Sequence, residues 1–271
     1  MTNFAINIVS DPVCPWCYIG RKRLGRAISL FKKVYPNARH DTFSITWEAY
    51  YLDATAPSQG VSFSQRQLQK IAVTNPGASP EEVRELAARQ KGRLVSVGRE
   101  EGLAFSFRGK IGNTRSAHRA IAYSRTCPRG RSSNSVEGVI ERGGEEEEGG
   151  DNAQDRFVTA LFAAYFEGEA DITSHADLAD IAGTVGLDRD EMLAWLDGGK
   201  GGEEVDEQDR VAREMGLKGV PHFAVQGRRV AGARDIQDFM ELFVKVKEDE
   251  QEQEQAINAD IKGTVGSGIA A

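Results

Sequence analysis

The residues best suited to chemistry are two cysteines separated by a Pro-Trp pair, in the stretch DPVCPWCYIG. An apolar run precedes this stretch and an amphipathic pattern follows it, which places Cys14 at the start of a predicted helix. The unpaired N–H groups and the positive end of the dipole at a helix start favour a thiolate, so we expect a moderately lowered pKa for Cys14. An ionised Asp11 nearby would oppose a larger shift. Cys17 shares an apolar line with Leu24, and we expect it to be the more buried, resolving thiol.

Two other uses of the cysteine pair are less favoured. A zinc site needs four ligands, and the only further cysteine, Cys127, stands alone beside a low-complexity segment. A static disulfide across so short a loop would stabilise the fold little, because this stabilisation grows with loop length. A reactive dithiol without a bound metal is therefore the favoured interpretation.

The elements that position the motif follow from the spacing of apolar residues. Residues 3–9 and 42–48 alternate as strands do, and residues 17–35 between them have helical spacing, which predicts a right-handed parallel crossover. Near the other end, residues 220–232 predict a hairpin about a Gln226-Gly227 turn, and an amphipathic helix follows. The two ends of the chain are thus expected to form one mixed sheet.

The middle of the chain has helical periodicity. One helix is predicted to open at Ser79 with a capping box, since Pro80 follows at the first helical position and Glu82 comes three residues after the cap. Further helical patterns begin at Asn113, Ala153, His175, Asp188 and Glu204.

These patterns divide the chain into a sheet-forming unit, residues 1–56 and 217–247, and a helical insertion, residues 57–216. Within the insertion, residues 127–152 are rich in Gly and Glu, and the tail 248–271 is acidic and rich in Gln. Both segments are predicted to be disordered, because they cannot bury enough apolar surface to offset the entropy of ordering.

Composition excludes several kinds of partner. The 34 basic and 41 acidic residues give a net charge of −7, and no cationic cluster is dense enough to follow a phosphate backbone, so we expect no nucleic-acid partner. No apolar run approaches the length of a membrane span, and the N-terminus lacks the apolar block of a secretory signal. We expect a soluble, cytoplasmic protein with no membrane partner, and in a reducing compartment a close cysteine pair is seldom merely structural.

Several segments together resemble a known family. SDPVCPWCYIGRKRL after the first strand and GLKGVPHFAVQGRRVAGARDIQDF near the end are similar to the DsbA-like thioredoxin-fold oxidoreductases, in particular their FrnE-like branch. The resemblance extends through GNTRSAHRAIAYS and the helical segment from residue 157, and covers most of residues 4–246. It implies an α/β structure, a thioredoxin fold with a large all-helical domain inserted.

The resemblance also implies roles for residues far from the cysteines. In this family the proline after the Gly-Val step is cis and lies beside the active-site disulfide, which implies that Val220 and Pro221 contact the substrate. Pro15 and Trp16, between the cysteines, are further candidate substrate contacts. His118 lies in a segment similar to the part of the family's insert that faces the active site, and is a candidate for the same role.

The favoured function is a thiol-disulfide oxidoreductase, with Cys14 as nucleophile and Cys17 as resolving cysteine, acting on a disulfide- or dithiol-containing protein or small molecule. No bound cofactor is expected, and glutathione is a candidate electron donor or acceptor. Related 2-hydroxychromene-2-carboxylate isomerases and kappa-class glutathione transferases typically carry serine in place of Cys14. A glutathione-dependent transferase or isomerase of small aromatic compounds stays an alternative because the helical insert is shared, and a non-catalytic thioredoxin-fold binding protein is a second alternative.

Overall fold

The computed structural model describes residues 1–127 and 152–266. Most of the predicted low-complexity loop, residues 128–151, lies outside the described residues, as do residues 267–271. In chain order the elements are β1 (Asn3–Ser10), α1 (Pro15–Val34), β2 (Thr42–Ala49), β3 (Val61–Ser62), α2 (Phe63–Thr74), α3 (Pro80–Glu100), β4 (Lys110–Ile111), α4 (Arg115–Thr126), α5 (Ala153–Phe166), α6 (His175–Thr184), α7 (Arg189–Asp197), α8 (Gly202–Glu214), β5 (His222–Val225), β6 (Arg228–Ala231) and α9 (Ile236–Gly266).

The central sheet has four strands in the order β2-β1-β5-β6. β1 and β2 are parallel and are joined through α1, with Ile6 opposite Ile45, which confirms the predicted crossover. β5 pairs antiparallel with β1, and β6 antiparallel with β5. Gln226 and Gly227 form the predicted turn between β5 and β6, and both have the positive φ that a tight hairpin turn of this kind requires.

One face of the sheet forms the core. Alternation along β1 puts Phe4, Ile6 and Ile8 on this face, and all three side chains are buried. The rings of Phe4, Phe31 and Phe243 lie within 5.6 Å of one another, centroid to centroid, and so join β1, α1 and α9. Burial of these large apolar side chains holds α1, and therefore its N-terminus, in a fixed position on the sheet.

The insertion between β2 and β5 contains α2 to α8 and a short ribbon of β3 and β4. Ser79 and Glu82 form the predicted capping box at the start of α3. The helices α4 to α8 each begin within two residues of their predicted starts. The ribbon corrects the expectation of an all-helical insertion: its strands have two residues each, too few to show an alternating pattern.

A buried ion pair anchors the insertion to α1. The Arg21 guanidinium donates two hydrogen bonds to the Asp155 carboxylate, from Nε at 2.9 Å and from an Nη atom at 2.6 Å. Asp155 also accepts a hydrogen bond from Trp47 Nε1 at 3.0 Å, so that α1, β2 and α5 meet at one carboxylate. Both charged side chains are at most 5% exposed, and the two-point geometry fixes the angle between them.

The last helix differs from the sequence prediction. α9 continues through residues 248–266, where we predicted a disordered tail. Glu250 accepts hydrogen bonds from the side chains of Thr2 and Gln226, and Asp249 pairs with Arg228, which holds the first turns of this extension to the sheet unit. Its Glu, Gln, Lys and Ala residues are also good helix formers. In the two described ranges no helix is both long and apolar enough to cross a membrane.

Candidate active site

Cys14 is the N-cap residue of α1, and Pro15 occupies the first helical position. Proline fits there because its missing N–H would have no partner inside the helix. The first turn of α1 contains no acidic residue, and the Cys14 side chain does not cap the free N–H groups. Cys14 therefore lies at the positive end of the helix, as the sequence predicted.

The loop before β5 lies against Cys14. The Cys14 thiol contacts the Val220 carbonyl oxygen, with 3.5 Å between Sγ and oxygen, and the Val220–Pro221 peptide bond is cis. Strand register explains the meeting: β1 pairs with β5 so that Val9 lies opposite His222, and the chain leaving β1 passes the chain entering β5. Residues 206 positions apart thus lie in contact.

Cys17 lies one helical turn behind Cys14, and its side chain is buried with 1% of the residue exposed. Burial raises the pKa of the Cys17 thiol well above its ordinary value, and a hydrogen bond with Cys14 and the nearby Asp11 charge raise it further. A thiol of this kind stays protonated at neutral pH. It becomes a nucleophile only if a neighbouring group takes its proton.

Asp11 is the titratable group beside this thiol. It follows β1 directly and is fully buried, and its carboxylate accepts hydrogen bonds from the backbone N–H of Leu52 at 2.8 Å and of Val13 at 3.3 Å. Burial raises the pKa of Asp11 from 3.8 to about 7, although these hydrogen bonds and one with the Thr114 side chain oppose the shift. Asp11 can therefore bind or release a proton near neutral pH.

Trp16 forms part of the exposed rim of the site. It is half-buried, and the Arg93 guanidinium of α3 lies 5.9 Å from the centre of its ring. The sequence made Trp16 a candidate substrate contact. The structure adds a cation beside its ring, and this cation belongs to a helix 77 positions further along the chain.

His118 lies on the other side of Asp11. Its Nε2 is 3.9 Å from Asp11 Oδ1, and 2% of the residue is exposed, so it has little surface to offer a substrate. His222, next to Pro221 in sequence, lies on the sheet face opposite α1 and lines a cavity with Val9 and Leu217. Of these two histidines, His118 is thus the one that lies next to Asp11.

The comparisons with known proteins agree with this arrangement. The sequence matches the family model of the DSBA-like thioredoxin domain over residues 5–138 and 144–244. The chain belongs to the DsbA-like thioredoxin family. Members of this family are oxidoreductases or isomerases.

Solved structures have the same DsbA-like fold. A probable DsbA oxidoreductase from Streptomyces coelicolor superposes with a TM-score of 0.67 at 22% identity, over 89% of each chain. A 2-hydroxychromene-2-carboxylate isomerase superposes with a TM-score of 0.51 at 17% identity, over 95% of this chain and 98% of the other. No curated protein matches the chain. These similarities establish the DsbA-like fold and leave the reaction to be inferred from the site.

Two further side chains of this DsbA-like chain, Tyr18 and Cys127, make contacts within the protein. Tyr18 stacks on Phe162 and donates a hydrogen bond to Glu167, so it packs against the insertion. Cys127 ends α4, and its thiol contacts the Tyr123 carbonyl. Among the described residues, no group of three or more His, Cys, Asp and Glu side chains could hold a metal ion.

The raised pKa of Asp11 predicts how the stability of the fold depends on pH. Below about pH 4, Asp11 is protonated in both the folded and unfolded chains and has no effect. Between about pH 4 and 7 the unfolded chain loses this proton while the folded chain keeps it, so stability falls with rising pH, by at most about 1.4 kcal/mol per pH unit. Asp11→Asn should remove this decrease, measured as the difference in unfolding free energy between variant and wild type in urea across this range.

Titrating groups that do not contact Asp11 are shared by the two proteins and cancel in that difference. His118 lies 3.9 Å from Asp11, so its contribution is removed by repeating the comparison in a His118→Asn background. Parallel stability curves for wild type and Asp11→Asn between about pH 4 and 7 would show that the carboxyl titrates normally in the folded chain.

Proposed function

We propose that this protein is a thiol-disulfide oxidoreductase in which Cys14 attacks and Cys17 resolves. The observation that carries the proposal is the position of Cys14 at the start of α1, with its thiol 3.5 Å from the Val220 carbonyl and Cys17 one turn behind. Cys14 lies at the positive end of the α1 dipole, and the buried Cys17 is within reach of a sulfur bound to Cys14. Both thiols are buried, and Cys14, with 4% of the residue exposed against 1% for Cys17, is the one nearer the surface.

The reaction has two exchange steps. In the first, the Cys14 thiolate attacks a substrate disulfide, forms a mixed disulfide and releases one substrate thiolate. In the second, Cys17 loses its proton to the Asp11 carboxylate and attacks the Cys14 sulfur, which forms the Cys14–Cys17 disulfide and releases the second thiolate. Asp11 suits this role because it is buried beside Cys17 and its pKa is about 7.

The surroundings of Cys14 support a substrate that binds in an extended conformation. Beside the cis peptide bond, the backbone of Val220 lies where a substrate chain could pair with it as an extra strand. Pro15 and Trp16 offer apolar contact, and Arg93 beside Trp16 favours an acidic group. A disulfide-containing peptide fits these features, and so does glutathione, which we propose as a thiol partner and not as a bound cofactor.

Replacing the resolving thiol tests the two-step scheme. Cys17→Ser should retain attack by Cys14 but stop at the mixed disulfide, because serine cannot displace the bound sulfur. Incubation with oxidised glutathione should therefore leave one glutathione on Cys14, detected by mass spectrometry of the intact protein. Reduced wild-type protein should end as the internal disulfide without an adduct.

The same variant separates the alternatives. A glutathione transferase or isomerase needs only one activated group, so its turnover should survive Cys17→Ser. A non-catalytic binding protein should give slow labelling of Cys14 in both proteins. Either result would contradict the proposed dithiol function.

A further inference from the structure

Asp11 and His118 form a buried pair behind the dithiol. His118 belongs to α4, where its backbone N–H donates to the Thr114 carbonyl at 2.9 Å. Its ring nitrogen Nε2 is buried, has no hydrogen-bond partner among the described residues and lies 3.9 Å from Asp11 Oδ1. A buried polar atom without a partner costs free energy, and Asp11 is the nearby group able to offset that cost.

The second ring nitrogen of His118, Nδ1, indicates which tautomer of the ring the site favours. The backbone of Tyr50 interacts with the His118 ring, and because Nε2 has no partner among the described residues this interaction involves Nδ1. With Nδ1 as donor, the neutral ring presents the lone pair of Nε2 towards Asp11. Burial lowers the pKa of His118 to about 4 and raises that of Asp11 to about 7, so a proton taken up by the pair goes to the Asp11 carboxyl and the ring stays neutral.

We propose that His118 is a positioning residue that acts through Asp11: its Nε2 accepts a hydrogen bond from the Asp11 carboxyl once that carboxyl has taken the proton of Cys17. This inference rests on the proposed dithiol function and adds a residue to its second step. In that step the Cys17 S–H bond breaks, the proton moves to Asp11, a sulfur–sulfur bond forms with Cys14 and the substrate thiolate leaves. His118 stabilises the protonated carboxyl and so makes Asp11 a stronger base.

Other groups also affect the titration of this pair. Those that face it are Cys14 and Cys17 at the start of α1, Tyr51 after β2, Lys70 on α2, Thr114 at the N-cap of α4, Tyr165 on α5 and Asp209 on α8. Variants at position 118 leave all of these in place. A change in pH profile on replacing His118 therefore reports on the pair itself.

Two replacements test whether His118 acts as a hydrogen-bond acceptor or only fills space. His118→Asn keeps a group near Nδ1, able to bond to the Tyr50 backbone, but removes the acceptor at Nε2. His118→Gln places an amide oxygen near Nε2. His175→Asn is a matched control, since His175 is also a histidine of the insertion but bonds to Ser116 and Asp197.

The readout is stopped-flow reaction of the reduced protein with dithiobis(nitrobenzoate), in a Cys127→Ser background that removes the third thiol. Attack by Cys14 releases one coloured thionitrobenzoate, and resolution by Cys17 releases a second. For His118→Asn we expect an unchanged first phase and a second phase slowed about tenfold, with its pH midpoint about one unit lower, since one buried hydrogen bond to Asp11 is lost. His118→Gln should restore part of the rate, and His175→Asn should match wild type.

The outcomes are distinguishable. A second phase in His118→Asn with the wild-type rate and midpoint would overturn the inference. So would an equal slowing by His118→Asn in an Asp11→Asn background, where a residue that acts through the carboxyl should have no further effect. A wild type that releases no second thionitrobenzoate would overturn the proposed function, and the inference with it.

Discussion

Cys14→Ser should reduce disulfide-reducing turnover to the background rate of the buffer. The hydroxyl of serine neither ionises at neutral pH nor forms a disulfide, so the first exchange step has no nucleophile. The change is nearly isosteric, and the contact with the Val220 carbonyl can be kept by the hydroxyl. Reduction of insulin in the presence of dithiothreitol, wild type against variant, measures the effect.

Cys14→Ala is the matched control for this experiment. Serine keeps a hydroxyl that a neighbouring group could activate, so Cys14→Ser alone could retain a hydroxyl-dependent activity, whereas alanine cannot. Cys127→Ser controls for loss of a thiol in general and should retain full activity. Equal insulin reduction by wild type and Cys14→Ala would remove the basis of the proposed function.

Asp155→Ala should lower the free energy of unfolding by about 3–5 kcal/mol, the usual cost of breaking a buried ion pair. The substitution removes the carboxylate that binds the Arg21 guanidinium at two points and leaves that cation buried. It also removes the acceptor of Trp47 Nε1. Urea unfolding followed by tryptophan fluorescence measures the loss.

The exposed pair of Asp180 and Arg189 provides the comparison. Its carboxylate and guanidinium are 64% and 46% exposed, so Asp180→Ala should cost less than about 1 kcal/mol. If the two substitutions had similar effects, the contact between α1 and α5 would not be a main anchor of the insertion. The difference between them combines the effect of burying the ion pair with the loss of the hydrogen bond from Trp47 Nε1.

Much of the fold is predictable from local patterns. The alternation in β1 and β2, the helical spacing of α1 and the turn at Gln226-Gly227 each depend on neighbouring residues, and the structure confirms all three. The ribbon of β3 and β4 and the extension of α9 escaped prediction. The first is too short for periodicity, and the second depends on contacts with Thr2 and Arg228 at the other side of the sheet unit.

In the candidate site, too, local patterns predict some features and not others. The sequence alone determined a pair of cysteines at a helix start, because residue type and spacing within one turn decide that arrangement. Val220 and Pro221 were assigned to the site only through a family resemblance, since nothing local links them to Cys14.

Only the tertiary structure decided the surroundings of the dithiol: Asp11 buried with a raised pKa, His118 beside it and Arg93 over Trp16. Charged residues are mostly exposed, so their type predicts a solvated position. Whether a carboxyl or imidazole is buried, and which group faces it, depends on how α1, α3 and α4 pack, and that packing brings together residues from distant parts of the chain.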